Sequence, residues 1–207
     1  MRLLSGRRIV LATLALTCAS GLFALPARAA DNAKQFIQSF GTQLVAIVNS
    51  PVPLSEKKIK VLPLVQKNVD IDGIGRYCLG RYWKIATPEQ KQRYQALFHE
   101  VLVNAITDKL GEYRGVSFTI GDVTRSGNED SVNAILTRPQ QPPASMQWIV
   151  GYENGQPQVV DVIGEGASLR LTQRNDYSSF IARNGDSVAA LLSALQKQLD
   201  RHNQSTN

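Results

Sequence analysis

The sequence predicts an α+β fold in which a four-stranded antiparallel meander sheet is covered by N- and C-terminal helices. Apolar residues recur every three or four positions in the first half of the chain, as on one face of a helix. They alternate with polar residues over about 116–163, as in half-buried strands, and return to the helical period near the C-terminus. Elements of one kind are therefore grouped along the chain, which is typical of α+β proteins.

The N-terminal residues 1–29 predict a secretory signal peptide. Basic residues precede the uncharged, mostly apolar stretch 9–25, and Ala27-Arg28-Ala29 supplies the small residues of a cleavage site. Cleavage after Ala29 would leave a single exported domain over residues 30–207, in the periplasm or outside the cell. The alternative is an uncleaved membrane anchor, for which the apolar stretch is slightly short.

The charge of the chain is concentrated in this leader. Lys and Arg number 23 against 17 Asp and Glu, a formal net charge of +6. The leader has no acidic residue and contains Arg2, Arg7, Arg8 and Arg28. The remaining chain is nearly balanced, so its composition does not indicate a polyanion-binding surface, and we expect no nucleic-acid partner.

The helices of the first half follow from their apolar spacing and from proline. A first helix carries an apolar stripe over 36–48 and ends before Pro51, and a second begins near Ser55, with a kink or restart expected at Pro63. A short third helix is predicted over 71–79.

A long amphipathic helix is the clearest element of the chain. Thr87 and Gln90 form a capping box, Pro88 suits the first helical position, and the apolar stripe continues to about Tyr113.

Four strands follow, separated by turns. Residues 127–130 are expected to form a turn, Asn154-Gly155 predicts a hairpin, and the glycines at 164 and 166 predict a loop. The predicted strands centre on 116–120, 132–136, 146–152 and 158–163.

Two C-terminal helices complete the prediction. Asn175 or Asp176 is expected to cap the first, which runs through Ile181, and Ser187 caps the second. A polar tail is expected from His202 onward.

The chain offers few residues for chemistry. Cys18 would leave with the leader, so Cys78 stands alone, cannot form an internal disulfide and is expected to be a buried structural thiol. The histidines are His99 and His202, and no zinc-protease motif, serine elbow, phosphate loop or dinucleotide fingerprint occurs. We therefore expect no enzyme activity, no catalytic residue, no metal and no cofactor.

Basic and aromatic residues alternate over 76–84. In an exported protein the anionic partner of such a run would be a lipid headgroup or another protein. The alternative is a helix end whose arginine stems cover apolar surface. Arg170 and Arg174 pose the same question.

The run Asp72–Lys84, followed by Thr87-Pro88-Glu89-Gln90, resembles the MlaC family of periplasmic lipid carriers, also called toluene-tolerance proteins. The segment 160–169 resembles the family's D-V-x-x-E-G-x-S-L pattern, and the R-x-x-[FY]-x-S pattern is matched by Arg174, Tyr177 and Ser179. The chain departs from the family at Pro157-Gln158, where an aromatic–basic pair is usual.

The resemblance implies a carrier without covalent chemistry. It would bind phospholipid acyl chains in an apolar cavity between helices and sheet, and shuttle lipid between an inner-membrane ABC transporter complex and an outer-membrane lipoprotein/porin complex. Such transport serves outer-membrane lipid asymmetry. The related hopanoid-associated branch leaves the cargo open, so hopanoid or another lipid is the alternative.

The expected cavity walls are the long helix and the third strand, with core packing as the competing role for each residue. The expected lipid contacts are Phe98, Leu102, Ile106, Met146, Trp148, Val150 and Tyr152. Arg76, Arg81 and Lys84 are expected to contact a headgroup or partner, and Gly164 and Gly166 to form part of the entrance.

Two other classes of function compete with the carrier. An enzyme using the same cavity would need a convergent acid–base pair, and a non-catalytic envelope adaptor would have a filled core and a large exposed interface.

Overall fold

The computed structural model describes residues 26–153 and 155–206, so the predicted leader lies almost entirely outside the described residues. The helices in this part are α1 Pro26–Asn49, α2 Leu54–Asn68, α3 Ile71–Leu79, α4 Arg81–Ile85, α5 Pro88–Asp108, α6 Leu169–Arg183 and α7 Val188–Thr206. The strands are β1 Ser117–Ser126, β2 Glu129–Thr137, β3 Ala144–Gly151, β4 Gln158–Gly164 and β5 Ala167–Ser168.

The sheet is an antiparallel meander in the order β1-β2-β3-β4-β5. The predicted α+β class and meander are confirmed, but the strand number was wrong: the described residues form five strands, not four. The extra strand arises because the turn at Glu165 and Gly166, both with positive φ, returns the chain so that Ala167 pairs with Gly164. The predicted loop is therefore a tight turn between β4 and β5.

The turn between β1 and β2 is shorter than predicted. Ser126 pairs with Glu129, so the loop is Gly127-Asn128, and Glu129 and Asp130 already belong to β2. Gly127 takes a positive φ there, which a two-residue hairpin loop requires. At the second predicted hairpin Gly155 also has a positive φ, and Asn154 lies outside the described residues.

The helical predictions were largely confirmed in the first half. Thr87 and Gln90 form the capping box of α5, which ends at Asp108 and continues as a 3-10 helix to Tyr113. Helix α2 runs through Pro63 without a restart. Pro63 and Ile59 are both exposed, so the Ile59 carbonyl that loses its helical donor can bond to water.

The first C-terminal helix departs from the prediction at its start, and the second departs from it only at its end. Helix α6 begins at Leu169, because Ser168, and not Asn175 or Asp176, accepts the capping hydrogen bond from the Leu171 amide at 3.1 Å. Ser187 caps α7 as predicted, accepting from the Ala190 amide.

The polar tail predicted from His202 is instead the last part of α7. His202 lies in the helix, and its Nδ1 is 3.2 Å from Oδ2 of Asp108 on α5. Because Lys58 of α2 contacts the other oxygen of Asp108 at 2.7 Å, this carboxylate joins three helices and holds the end of α7 in place.

Helix α1 lies on β1 and β2, whereas α3 and α6 approach β4. Helix α5 packs mainly on α7, α3 and α2. We call α2, α3, α5, α6 and α7 the helical group. None of the helices in the described ranges combines the length and apolarity needed to cross a bilayer.

Candidate functional site

Helix α1 packs against one face of the sheet, at β1 and β2, and we call this the inner face. We call the layer between helix and sheet the α1 seam and define it by Phe36, Phe40, Gly41, Phe118 and Trp148. The Phe40 ring stacks with Phe36 at 6.3 Å and meets the Trp148 ring edge-on at 5.8 Å. Gly41 lies so close to the Phe118 ring that a Cβ would be 2.5 Å from it. The Phe118 ring therefore fills the space beside Gly41, where α1 has no side chain.

Burial in the α1 seam is incomplete. Phe40 is 2% exposed, but several large apolar residues on both walls are only half-buried. These half-buried residues are Phe36 and Leu44 on α1, and Phe118, Ile120, Met146, Trp148 and Val162 on the sheet. Apolar surface left accessible on two facing walls is typical of a layer that can admit a ligand.

The predicted strand face lies along one wall of this seam. Met146, Trp148, Val150 and Tyr152 alternate onto the inner face of the sheet. Val150 is fully buried, and the other three are half-buried. The bulge of β4 opposite Val150, where Val159 rather than Val160 is the partner, increases the local twist at this end of the sheet.

The predicted helix face lies elsewhere. The Phe98 ring contacts Tyr94 at 5.7 Å and Tyr177 at 6.4 Å, in the layer between α3, α5 and α6. Gly75 of α3 makes room for this ring. Leu102 and Ile106 are half-buried on the same helix. Helix α1 packs on the sheet, whereas α5 packs mainly on α7, α3 and α2. Lipid contact by Phe98, Leu102 and Ile106 stays a prediction.

A polar cleft lies at the hairpin end of the sheet, beside α3. This sheet-end pocket has a volume of about 460 Å³ and lies between the start of α3 and the two hairpin ends of the sheet. Its lining includes Tyr77, Arg125, Asn128, Glu129, Tyr152, Glu153 and Arg170. Tyr152, which follows β3 and continues its Met146–Val150 row, lines this pocket.

Beneath this pocket lies a buried carboxylate. Asp130 is 0% exposed; its Oδ2 accepts the Tyr152 hydroxyl at 2.7 Å, and its Oδ1 has no hydrogen-bond partner. The Nε of Arg125 is 3.7 Å from Oδ1. Burial, together with the hydrogen bond to Asp130, raises the pKa of Tyr152, so its hydroxyl stays protonated at neutral pH.

The D-V-x-x-E-G-x-S-L segment forms a hydrogen-bonded junction. Asp161 is 5% exposed and accepts from the Ser168 hydroxyl at 2.5 Å and from the Arg170 amide at 3.0 Å. The Arg170 guanidinium binds both carboxylate oxygens of Glu129, at 3.0 and 2.9 Å. These bonds tie β4, α6 and β2 together, which explains the motif as structural.

Tyr77 links this junction to α3. Its ring is flanked by the guanidinium groups of Arg170 and Arg174, 4.8 and 4.9 Å from its centroid. Cation–π contacts on one phenol by two arginines fix the orientation of both side chains.

The basic residues predicted to contact a headgroup or partner lie around α4. Arg81 donates a hydrogen bond to the Tyr82 hydroxyl at 2.7 Å, and this hydroxyl donates to Asp186 at 2.6 Å. The two bonds together anchor the loop before α7. The Arg76 guanidinium lies over the Trp83 ring at 5.8 Å. Lys84 is exposed. None of the three lines the sheet-end pocket.

Cys78 is buried, as predicted. It is 0% exposed, and burial raises its pKa to about 12, so the thiol is not ionised at neutral pH. Across the described ranges no three His, Cys, Asp or Glu side chains converge as metal ligands.

Of the two glycines expected at the entrance, Gly166 lines a groove of about 580 Å³ along the sheet, together with Ile120, Ile135, Met146 and Gln147. Sequence reasoning missed the α1 wall of the seam, although Phe36 and Phe40 were visible as one helical face. It also missed the sheet-end pocket, whose residues come from five separate segments.

Comparisons with known proteins agree on one family. The family model described as MlaC protein matches residues 30–197. The toluene tolerance protein Ttg2D of Pseudomonas putida is 28% identical over 122 residues, covering 58% of this chain and 57% of that protein. The match therefore spans little more than half of the curated relative.

A solved structure shares the fold. The phospholipid-binding protein from Ralstonia solanacearum, solved in complex with a phospholipid, superposes with a TM-score of 0.72 at 20% identity. The superposition covers 82% of this chain and 98% of that one. With the family model matching most of the chain and the fold shared, this protein belongs to the MlaC family.

Proposed function

We propose that this protein is a periplasmic phospholipid carrier that holds acyl chains in the α1 seam. The observation that supports this best is the α1 seam, where α1 and the sheet face each other with apolar walls. An aromatic contact joins the two walls, yet several of their large side chains remain half-buried. The phospholipid bound by the Ralstonia solanacearum protein of the same fold supports the class of cargo.

The physical chemistry favours such a site. Burying acyl methylenes contributes about 0.8 kcal/mol each, enough to separate α1 from the sheet and replace the Phe40–Trp148 contact.

In this account the protein carries lipid and performs no covalent step. It exchanges phospholipid with an inner-membrane ABC transporter complex and an outer-membrane lipoprotein/porin complex, because a carrier without an energy source only equilibrates its cargo between donors and acceptors. Arg76 and Lys84 belong to the surface offered to those complexes.

The experiment is lipid mass spectrometry on the full protein purified from cells under native conditions. Stoichiometric phospholipid is the expected result, and removal followed by re-addition of lipid should restore it. A hopanoid would keep the carrier and change the pathway. A protein that is isolated empty and stays empty when offered phospholipid would contradict the proposal and favour an adaptor.

A further inference from the structure

The α1 seam ends at β1, the edge strand of the sheet in the described part of the chain. In the sheet order β1 comes first and pairs with β2 alone. Phe118, Ile120 and Val123 are half-buried along this strand. Ile120 and Val123 pack against the buried core, whereas Phe118 is not among the described side chains that do so. The Phe118 ring therefore stands at the margin of the seam.

The tip of this ring meets the backbone of α1. A Cβ placed on Gly41 would lie 2.5 Å from Cζ of Phe118 and 2.8 Å from its Cε2. These atoms form the far end of the side chain, so the ring spans the space between strand and helix. Because carbon atoms do not approach so closely, glycine at position 41 is what admits the ring in this position.

Next to this contact, the end of α1 is tied to the residues that lead into β1. The Asn49 side chain donates to the Val116 carbonyl at 2.9 Å and accepts from the Gly115 amide at 2.8 Å. These two bonds fix the spacing of helix and strand two residues before Phe118. The Phe118 ring has no aromatic partner within the described residues. Since partly exposed side chains change rotamer in nanoseconds or less, the ring can leave Gly41 while the helix end stays in place.

We propose that the Phe118 ring is a gate at the β1 edge of the α1 seam and that Gly41 is the seat on which it closes. Rotation of the ring away from Gly41 opens a path for an acyl chain between α1 and β1. The ring returns to its seat once the chain has passed, so it controls the rate of lipid exchange in both directions. The inference rests on the proposed function, because it names the entrance of the same site.

The test follows loading in the Trp83→Phe background, in which Trp148 of the seam is the only tryptophan left in the chain. The delipidated full protein is mixed with vesicles of phosphatidylethanolamine and phosphatidylglycerol whose acyl chains carry bromine. Quenching of Trp148 gives the loading rate, and recovery of its fluorescence after transfer to unlabelled vesicles gives the release rate.

Gly41→Ala adds one methyl group that pushes the ring off its seat. We expect it to raise both rates by roughly fivefold, the effect of losing one aromatic contact that closes the path, and to leave the lipid load at equilibrium nearly unchanged. Gly111→Ala is the matched control, because a Cβ on Gly111 would meet nothing within 4 Å, and its rates should equal those of the parent.

Phe118→Ala removes the gate itself and should also raise both rates. Combining it with Gly41→Ala should give no further increase, because no ring remains to be displaced. Phe180→Ala removes another half-buried ring, on α6, and should change neither rate.

Three results would overturn the gate. Rates could stay unchanged in both variants, or the two effects could multiply in the double variant, which would mean that Gly41 and Phe118 act separately. Faster release without faster loading would show that Phe118 is a contact for bound lipid. If the wild type and the Trp83→Phe parent both take up no lipid, the proposed function itself is contradicted.

Discussion

The helical group around Tyr94 and the α1 seam are both built from aromatic rings, but they differ in completeness. Tyr94 is 0% exposed, its hydroxyl donates to the Gly75 carbonyl at 2.9 Å, and its ring meets Tyr177 edge-on. In the seam, Phe36 and Trp148 remain half-buried around Phe40. A region with every neighbour in place stabilises the fold, whereas one with open apolar walls is free to exchange a protein contact for a ligand.

The largest expected effect separates the two regions by stability. Phe98→Ala should lower the free energy of unfolding by about 3–5 kcal/mol, because the Phe98 ring is 2% exposed between Tyr94 and Tyr177. Trp148→Ala should cost roughly half as much, since its ring is half-buried. Urea denaturation measures both.

The same two variants should reverse their order in lipid binding. Trp148→Ala should lose most bound phospholipid, and Phe98→Ala, assayed well below its midpoint of unfolding, should retain it. Equal lipid loss in the two variants would remove the distinction between core and seam.

A second effect concerns the junction that joins sheet and helices. Asp161→Asn should lower the free energy of unfolding by about 2–3 kcal/mol, because Asp161 is buried and accepts from Ser168 and from the Arg170 amide. Glu129→Gln, at a more exposed site of the same network, should cost about 0.5–1 kcal/mol. A similar cost for both would show that the buried carboxylate has no special role.

The free energy of unfolding is expected to depend on pH through Cys78 in the helical core. The Cys78 thiol has a pKa of about 12 in the folded protein against an ordinary value of 9.0. Between these values the folded state keeps a proton that the unfolded state releases, so stability falls as pH rises above about 9, by about 1.4 kcal/mol per unit from this group. Denaturation at pH 8 and 10 should show a steeper loss for the wild type than for Cys78→Ala. Parallel losses would contradict burial of the thiol.

The smallest effect is expected from removing a single hydroxyl group in the core. Tyr94→Phe removes the hydrogen bond to the Gly75 carbonyl and should cost about 1 kcal/mol without changing lipid load. Thermal unfolding and lipid analysis of the same sample measure both quantities. A change in lipid load would mean that the helical group and the seam are coupled.

Local signals in the sequence were sufficient for most elements. The Thr87–Gln90 capping box and the alternation of Met146, Trp148 and Val150 are determined by neighbouring residues, and the structure has both. Helix α6 shows the limit: Ser168 caps it only because β5 and Asp161 position its side chain.

The candidate site depended on long-range packing and was predicted less well. Helix α1 covers the sheet because Gly41 lets the Phe118 ring approach it and because α7 already packs on α5. Neither contact has a signature in the sequence. The sheet-end pocket likewise requires Arg125, Glu153 and Arg170 to meet from segments far apart in the chain. The third strand was identified because its face could be read from alternation alone.

The most direct test of the central claim uses the two tryptophans of the chain, Trp83 and Trp148. Trp83→Phe leaves Trp148 in the seam as the fluorophore, and Trp148→Phe leaves Trp83 beside Arg76 and Lys91. Each variant is loaded with a phospholipid whose acyl chains carry bromine, a contact quencher. At equal lipid load we expect strong quenching of tryptophan fluorescence in Trp83→Phe and little in Trp148→Phe. Unquenched Trp148 in a fully loaded protein would contradict binding in the α1 seam.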